Sequence, residues 1–171
     1  MMPWMKYAIA FGSIVVLTVL AALPWGLPSE DRFFLPLLPV VAIQYWTLRH
    51  PRLIPEWFVF LAGLGLDVLT HGPLGYWSLV YLSGYFIAAV LEPYGHSGQI
   101  VRLAFWIVAM MITTFAAWAV SSVYFLEFAD WRPFAHGMAF ALVAGAVLVP
   151  MLHALDPEKE AHDNPQLSRG G

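Results

Sequence analysis

The chain has 171 residues, 60% hydrophobic and 11% charged, against about 45–50% and about 25% in a soluble domain, which excludes a water-soluble globular enzyme and a disordered chain alike. It has no cysteine, hence no disulfide framework, thiolate zinc site or cysteine nucleophile, and its net charge of −3 leaves no basic face for nucleic acid. The mean hydropathy of +0.70 points to hydrocarbon as the solvent, and the length allows one domain.

Long uncharged stretches separate the charges. A bilayer core about 30 Å thick needs about 20 apolar residues of helix. Six spans are predicted, at residues 7–23, 33–48, 55–70, 74–91, 103–126 and 134–155. The first could serve as a secretory signal, with Lys6 as its flank and Ala21-Ala22 near a cleavage site, but its apolar run is long and five more spans follow. Pro24, Gly26 and Pro28 end it. The second and third hold 16 residues each, short for a perpendicular span, so they are expected to thin the bilayer or sit inside the bundle. Pro51 and Pro55 bracket the turn between them, and Pro55 suits a first helical turn. Gly72-Pro73 separates the third span from the fourth; Pro93, Gly95 and Gly98 follow the fourth; Pro133 opens the sixth. The fold class expected is an all-α integral membrane bundle of six helices over residues 1–155. A polar, disordered tail covers residues 156–171.

Seven of the eight tryptophans (Trp4, Trp25, Trp46, Trp57, Trp77, Trp106, Trp131) fall at or near predicted span ends, where an amphipathic ring prefers the headgroup region. Trp118 alone is mid-span. With six spans, Lys6, Arg49, Arg52, Arg102, Lys159 and Arg169 share one side, and Arg32 and Arg132 take the other. This bias puts both termini in the cytoplasm. No internal repeat is visible, which weakens an inverted-repeat transporter.

Asp67 is read as the one acidic or basic residue inside a span. An ionisable residue at membrane depth is a functional hypothesis by default. Asp67 lies about one turn from its helix end, so the plain reading is a partly wet carboxylate or one bonded to the loop at His71-Gly72. The alternatives are a proton or ion site, or a partner contact. Asp67 and His71, four apart, would share a helix face. One carboxylate and one imidazole do not define a metal site. Gly63 and Gly65 would let another backbone come close, or bend the helix locally.

Ala109, Thr113, Ala117 and Ser121 repeat every four residues in the fifth span, and Gly137, Ala141 and Gly145 do so in the sixth. These stripes suit close packing within the bundle. His136 and His153 are about 25 Å apart on a straight helix and cannot share a ligand. Both are read as interfacial. Gln44 is expected to hydrogen-bond between helices. No phosphate loop, zincin motif or Gly-x-Ser-x-Gly elbow is present. No catalytic set, metal site or cofactor is expected.

From Pro39 the chain reads Pro-Val-Val-Ala-Ile-Gln-Tyr-Trp-Thr-Leu-Arg-His-Pro, then Gly-Leu-Gly-Leu-Asp-Val-Leu from Gly63 and Gly-Pro-Leu-Gly from Gly72. A Tyr-Trp stands before an Arg-x-Pro turn, and a Gly-Leu-x-x-Asp helix end runs into Pro73-Leu74-Gly75. In order and spacing this resembles the rod shape-determining protein MreD family, over about 45 residues, roughly a quarter of the chain. The chain length and six-span layout also match that family. The resemblance implies a non-catalytic inner-membrane scaffold of the bacterial elongation machinery. Such a protein lies among membrane lipids beside MreC. It helps couple MreB filaments to the RodA glycosyltransferase and its partner penicillin-binding transpeptidase. It also implies a fold similar to the substrate-binding components of energy-coupling-factor vitamin transporters, an analogy that assigns no ligand. Residues 63–75 are then the candidate partner contact. The alternative is a transporter component with Asp67 and Gln44 lining a cavity. A third reading is a membrane enzyme using Asp67 and His71.

Overall fold

The computed structural model describes residues 3–24, 26, 35–51 and 53–155. Expectations for Trp25, Arg32, Phe33, Arg52 and the tail at 156–171 lie outside these. Among the described residues the chain is all-helical. Six α-helices follow in order: α1 (Pro3–Ala22), α2 (Leu38–Arg49), α3 (Glu56–Thr70), α4 (Tyr76–Leu91), α5 (Gln99–Phe125) and α6 (Arg132–Leu155). Short 3-10 turns cover Leu35–Leu37 and Glu92–Ser97.

Three stretches are long and apolar enough to cross a membrane: Trp4–Ala22, Ile100–Phe125 and Arg132–Leu155. The middle three helices are shorter than the spans predicted for them. With 12, 15 and 16 residues, they reach only about 18–24 Å at 1.5 Å per residue. Local punctuation explains this. Pro36 and the 3-10 turn delay the start of α2. The fourth span was expected from Leu74, but Gly75 takes φ +90° and α4 begins at Tyr76.

The shortest helix is the central one. All ten residues from Pro39 to Leu48 are buried, and α2 packs on α1, α4, α5 and α6. An all-round apolar helix belongs inside a bundle. These four surround it; α3 is seated on α1 and α4, α4 on α5, and α5 on α6. Phe11 of α1 meets Phe58 of α3 edge-on at 4.3 Å. Helix ends alternate: Gly145, late in α6, touches Trp106, early in α5, and Tyr76, opening α4, bonds to Ala117, late in α5.

The outside of the bundle is apolar. Val15, Val16, Phe60, Leu79, Phe86, Phe115, Val143 and Val147 are all exposed. Polar side chains lie inside, including Thr18, Gln44, Thr47, Asp67, Ser78, Thr113 and Thr114. Buried threonines bond back along their own helices; Thr18 Oγ1, for example, donates to the Ile14 carbonyl at 2.8 Å. This inside-out distribution is that of a helical membrane protein, where hydrocarbon covers the apolar face and polar groups find partners within.

The tryptophans divide. Trp4, Trp57 and Trp131 are exposed, as an interfacial belt requires, but Trp46, Trp77 and Trp106 are buried. Their positions near span ends misled the belt reading. Trp46 is fully buried and its indole N–H donates to Ser13 Oγ of α1 at 3.0 Å. Trp118 is partly buried, and its N–H donates to the Ala129 carbonyl at 2.9 Å, fastening the α5–α6 loop.

Candidate functional site

The corner between α3 and α4 is built by three residues that the sequence singled out. Gly63 and Asp67, four apart, lie on one face of α3 and both are buried. A β-carbon added at Gly63 would sit 2.5 Å from Ser78 Cα, 2.6 Å from Ser78 N and 2.7 Å from the Trp77 carbonyl oxygen. Only glycine permits α3 to approach the α4 backbone this closely. Gly65 does not share this role, because nothing lies within 4 Å of where its β-carbon would be. Two residues from Gly63 is about 200° around the helix, which turns it to another face.

Asp67 is fully buried, not partly wet. Its side chain passes over the His71-Gly72 loop and caps the next helix instead. Oδ2 accepts from the Gly75 N–H at 2.8 Å and Oδ1 from the Trp77 N–H at 3.0 Å. Gly75 holds the N-cap position of α4 and has no side chain to satisfy the first N–H groups. The carboxylate from α3 does so across the corner, and the positive end of the α4 dipole offsets its charge. Each such charge-assisted bond is worth about 1.5–3 kcal/mol.

The turn is shaped around that contact. His71 ends α3 in the left-handed conformation at φ 54°, and the Gly72 N–H returns to the Asp67 carbonyl at 3.0 Å. The pair closes α3 as a Schellman cap. His71 therefore leaves the helix and is exposed while Asp67 points inward, so the expected shared face does not form. The Pro73 carbonyl accepts from the Tyr76 N–H at 3.2 Å. Leu74 stands 67% exposed at the apex, and Val68 and Leu69 are exposed beside it. The corner thus presents a rigid backbone and an apolar outer ridge.

The α5 stripe of Ala109, Thr113, Ala117 and Ser121 is buried. It faces α2 and α4: Gln44 Nε2 donates to Thr113 Oγ1 at 2.8 Å, and Tyr76 OH donates to the Ala117 carbonyl at 3.2 Å. Gln44 Oε1 is buried with no partner among the described residues. Gly137, Ala141 and Gly145 are buried on α6. The neighbour of Gly145 is the Trp106 ring, so here a small residue seats an indole, not a helix backbone.

The sequence reading missed a cleft at the opposite end of the bundle. It has a volume of about 630 Å³ and lies between the end of α2, the start of α5 and the end of α6. Tyr45, Leu48, Trp106, Leu142, Gly145 and Val149 form much of its wall, with Arg49, Arg102 and His153 also lining it. His153 is half-buried there, whereas His136 is exposed at the far end of α6. Pro150 also lines the cleft, and as a proline inside α6 it leaves the Ala146 carbonyl without its helical donor. Periodicity alone hides such a site, since its residues come from three helices distant in sequence. The recurrence of arginine at the ends of two apolar runs was its one sequence signal.

Among the described residues no three His, Cys, Asp or Glu side chains group as metal ligands. Comparison with protein-family models, with curated proteins and with solved structures finds no match.

Proposed function

We propose that the chain is a non-catalytic scaffold of the bacterial rod complex, of the MreD kind, which binds MreC within the cytoplasmic membrane. Through MreC it helps couple MreB filaments to peptidoglycan synthesis by RodA and its partner transpeptidase. All six helices cross the membrane in this reading, with both termini cytoplasmic. The short α2, α3 and α4 are accommodated by local thinning of the bilayer and by the burial of α2.

The corner at residues 63–75 carries the proposal. Its sequence bears the family resemblance, and in the fold its buried carboxylate is spent on a helix cap, with both oxygens accepting backbone N–H groups. What the corner offers outward is the ridge of Val68, Leu69 and Leu74. In lipid a partner helix is held by close packing on a rigid surface. The test is affinity purification from native membranes in mild detergent. Recovery of MreC with the wild-type chain, reduced by Leu74→Arg while the variant still inserts, is expected. Rounded cells with MreC recovery intact would transfer the contact to RodA or the filament.

The second reading is a small-molecule-binding component of a transporter. The observation that favours it is the cleft of about 630 Å³, within the about 300–1,000 Å³ of ordinary ligand sites. It does not take the form first expected for that reading. Asp67 and Gln44 do not line the cleft, and its walls are largely apolar. Recovery of an ATPase module in place of MreC would favour it.

A further inference from the structure

Two residues on the wall of the cleft between α2, α5 and α6 carry buried donors that meet nothing among the described residues: Nε–H of Arg102 and the indole N–H of Trp106. The residues are four apart, so they share one face of α5, a turn from each other. Trp106 is 5% exposed, and the benzene edge of its ring rests on Gly145, where no β-carbon stands in the way. The indole is fixed in place and cannot turn outward to find water. Buried polar groups in native folds are bonded, so a pair of unmet donors at a cleft calls for an occupant that carries acceptors.

Depth and access narrow the class of occupant. Arg102 stands in the first turn of α5, a helix long and apolar enough to cross a membrane, and Trp106 lies about 6 Å further in. Deeper still, Leu142 continues the wall on α6, about one turn beyond the Gly145 that meets Trp106. Leu103 and Ile107, next to the two donor residues, are exposed, so the cleft opens on the apolar exterior of the bundle. An occupant that enters there comes from the bilayer. From the surface inward a glycerolipid offers phosphate oxygens, then ester carbonyls, then hydrocarbon alone. The cleft answers in the same order, with Arg102, then Trp106, then Leu142.

We propose that this cleft binds an ester-linked glycerolipid: an acyl carbonyl accepts from the Trp106 N–H, a phosphate oxygen accepts from Arg102 Nε, and the acyl chain runs along Leu142 and Ile107. The acyl carbonyl is the deepest acceptor such a lipid has, and Trp106 is the deeper and drier of the two donors. Phosphate oxygens are common to zwitterionic and anionic lipids, so the net charge of the headgroup does not select the occupant. A hydrocarbon without oxygen would leave both donors unmet, and a small polar solute would leave the apolar wall uncovered. The site rests on α5 lying in a membrane and not on the rod-complex reading. Filled in this way, the cleft is a seat for a structural lipid between α5 and α6, in place of the small-molecule site of the transporter reading.

The test is native mass spectrometry of the purified full-length chain, without partners, titrated in mild detergent with two phosphatidylcholines of the same chain length. One is a diester; the other is a diether, which lacks the carbonyls. Wild-type protein should retain the diester about fivefold over the diether, the equivalent of about 1 kcal/mol for one hydrogen bond. Trp106→Phe keeps an aromatic ring and removes the N–H, so the ratio should fall close to one. Trp118→Phe removes an indole N–H that already donates to the Ala129 carbonyl, and should leave the ratio unchanged. Ala146→Phe, which fills the cleft and leaves both donors in place, should lower retention of both lipids. Circular dichroism of each variant separates loss of lipid from loss of fold. Equal retention of the two lipids by the wild type, or an unchanged ratio in a folded Trp106→Phe, overturns the proposal. If Trp106→Phe loses its helical signal, Ala146→Phe decides: lowered retention supports the lipid seat and unchanged retention overturns it. Because MreC takes no part in the measurement, failure here leaves the scaffold reading standing, and loss of MreC recovery leaves the lipid site standing.

Discussion

Replacing Asp67 separates a structural cap from an obligatory charge. In Asp67→Leu both acceptors vanish, and the N–H groups are left unmet, that of Trp77 buried and that of Gly75 partly buried. At about 1–3 kcal/mol for each stranded donor, the cost is about 2–6 kcal/mol. Asp67→Asn keeps one acceptor oxygen, so one N–H retains its bond and the other faces an amide NH2 group. Its cost is about 1–3 kcal/mol, roughly half that of the leucine variant. The assay is equilibrium unfolding in mixed dodecyl maltoside–dodecyl sulfate micelles, followed by tryptophan fluorescence. Trp77, whose backbone N–H bonds to the carboxylate, is one of the eight tryptophans that contribute to the signal. The expected order of stability is wild type, then Asn, then Leu, and MreC recovery should follow it. A leucine variant within about 0.5 kcal/mol of wild type would refute the cap, because the buried Trp77 N–H alone cannot be released at that cost. Equal, complete loss in both variants would show that the negative charge itself is required, as at a proton or ion site.

Gly63→Ala should destabilise the bundle by about 1–3 kcal/mol, since the added methyl meets the Ser78 backbone, whereas Gly65→Ala should be neutral or slightly stabilising; the same micelle titration reads both. Gln44→Met removes one interhelical bond and one unpartnered buried oxygen together, so its net effect should stay within about 1 kcal/mol of wild type, and a larger loss would show that the amide has a further partner. Gly145→Leu should prevent folding outright, as seen by loss of monodisperse protein on size exclusion, because the side chain would occupy the place of the Trp106 ring. A cysteine at Ser29 should label from the periplasm and one at Ser168 should not; labelling of both from one side would overturn the six-span topology.

The residues that build the α3–α4 corner were legible because each departs from its surroundings. Asp67 is a charge in an apolar run, Gly63 stands in an apolar helix, and Gly75 comes two residues after a proline. Their spacing even places Gly63 and Asp67 on one face. Their partners were not legible, because a carboxylate one turn from a helix end can serve its own loop or the next helix with the same sequence. What settles it is that Gly75 at φ +90° leaves α4 without a cap of its own.

Composition and the long apolar runs were enough to establish a helical chain suited to hydrocarbon, since each helix closes its own backbone bonds within a local stretch and the count of apolar residues sets its length. Burial within the bundle could not be read that way. Every helix here is apolar on most of its faces, so hydropathy does not distinguish lipid-facing side chains from packed ones. Trp46 and Trp57 both stand near span ends, yet one is enclosed by the bundle and the other is 62% exposed. The central place of α2, the shortest helix, and the cleft that gathers Arg49, Arg102 and Trp106 likewise depend on contacts between segments far apart in the chain. Such contacts are fixed by side-chain shape and mutual approach, which no local pattern records.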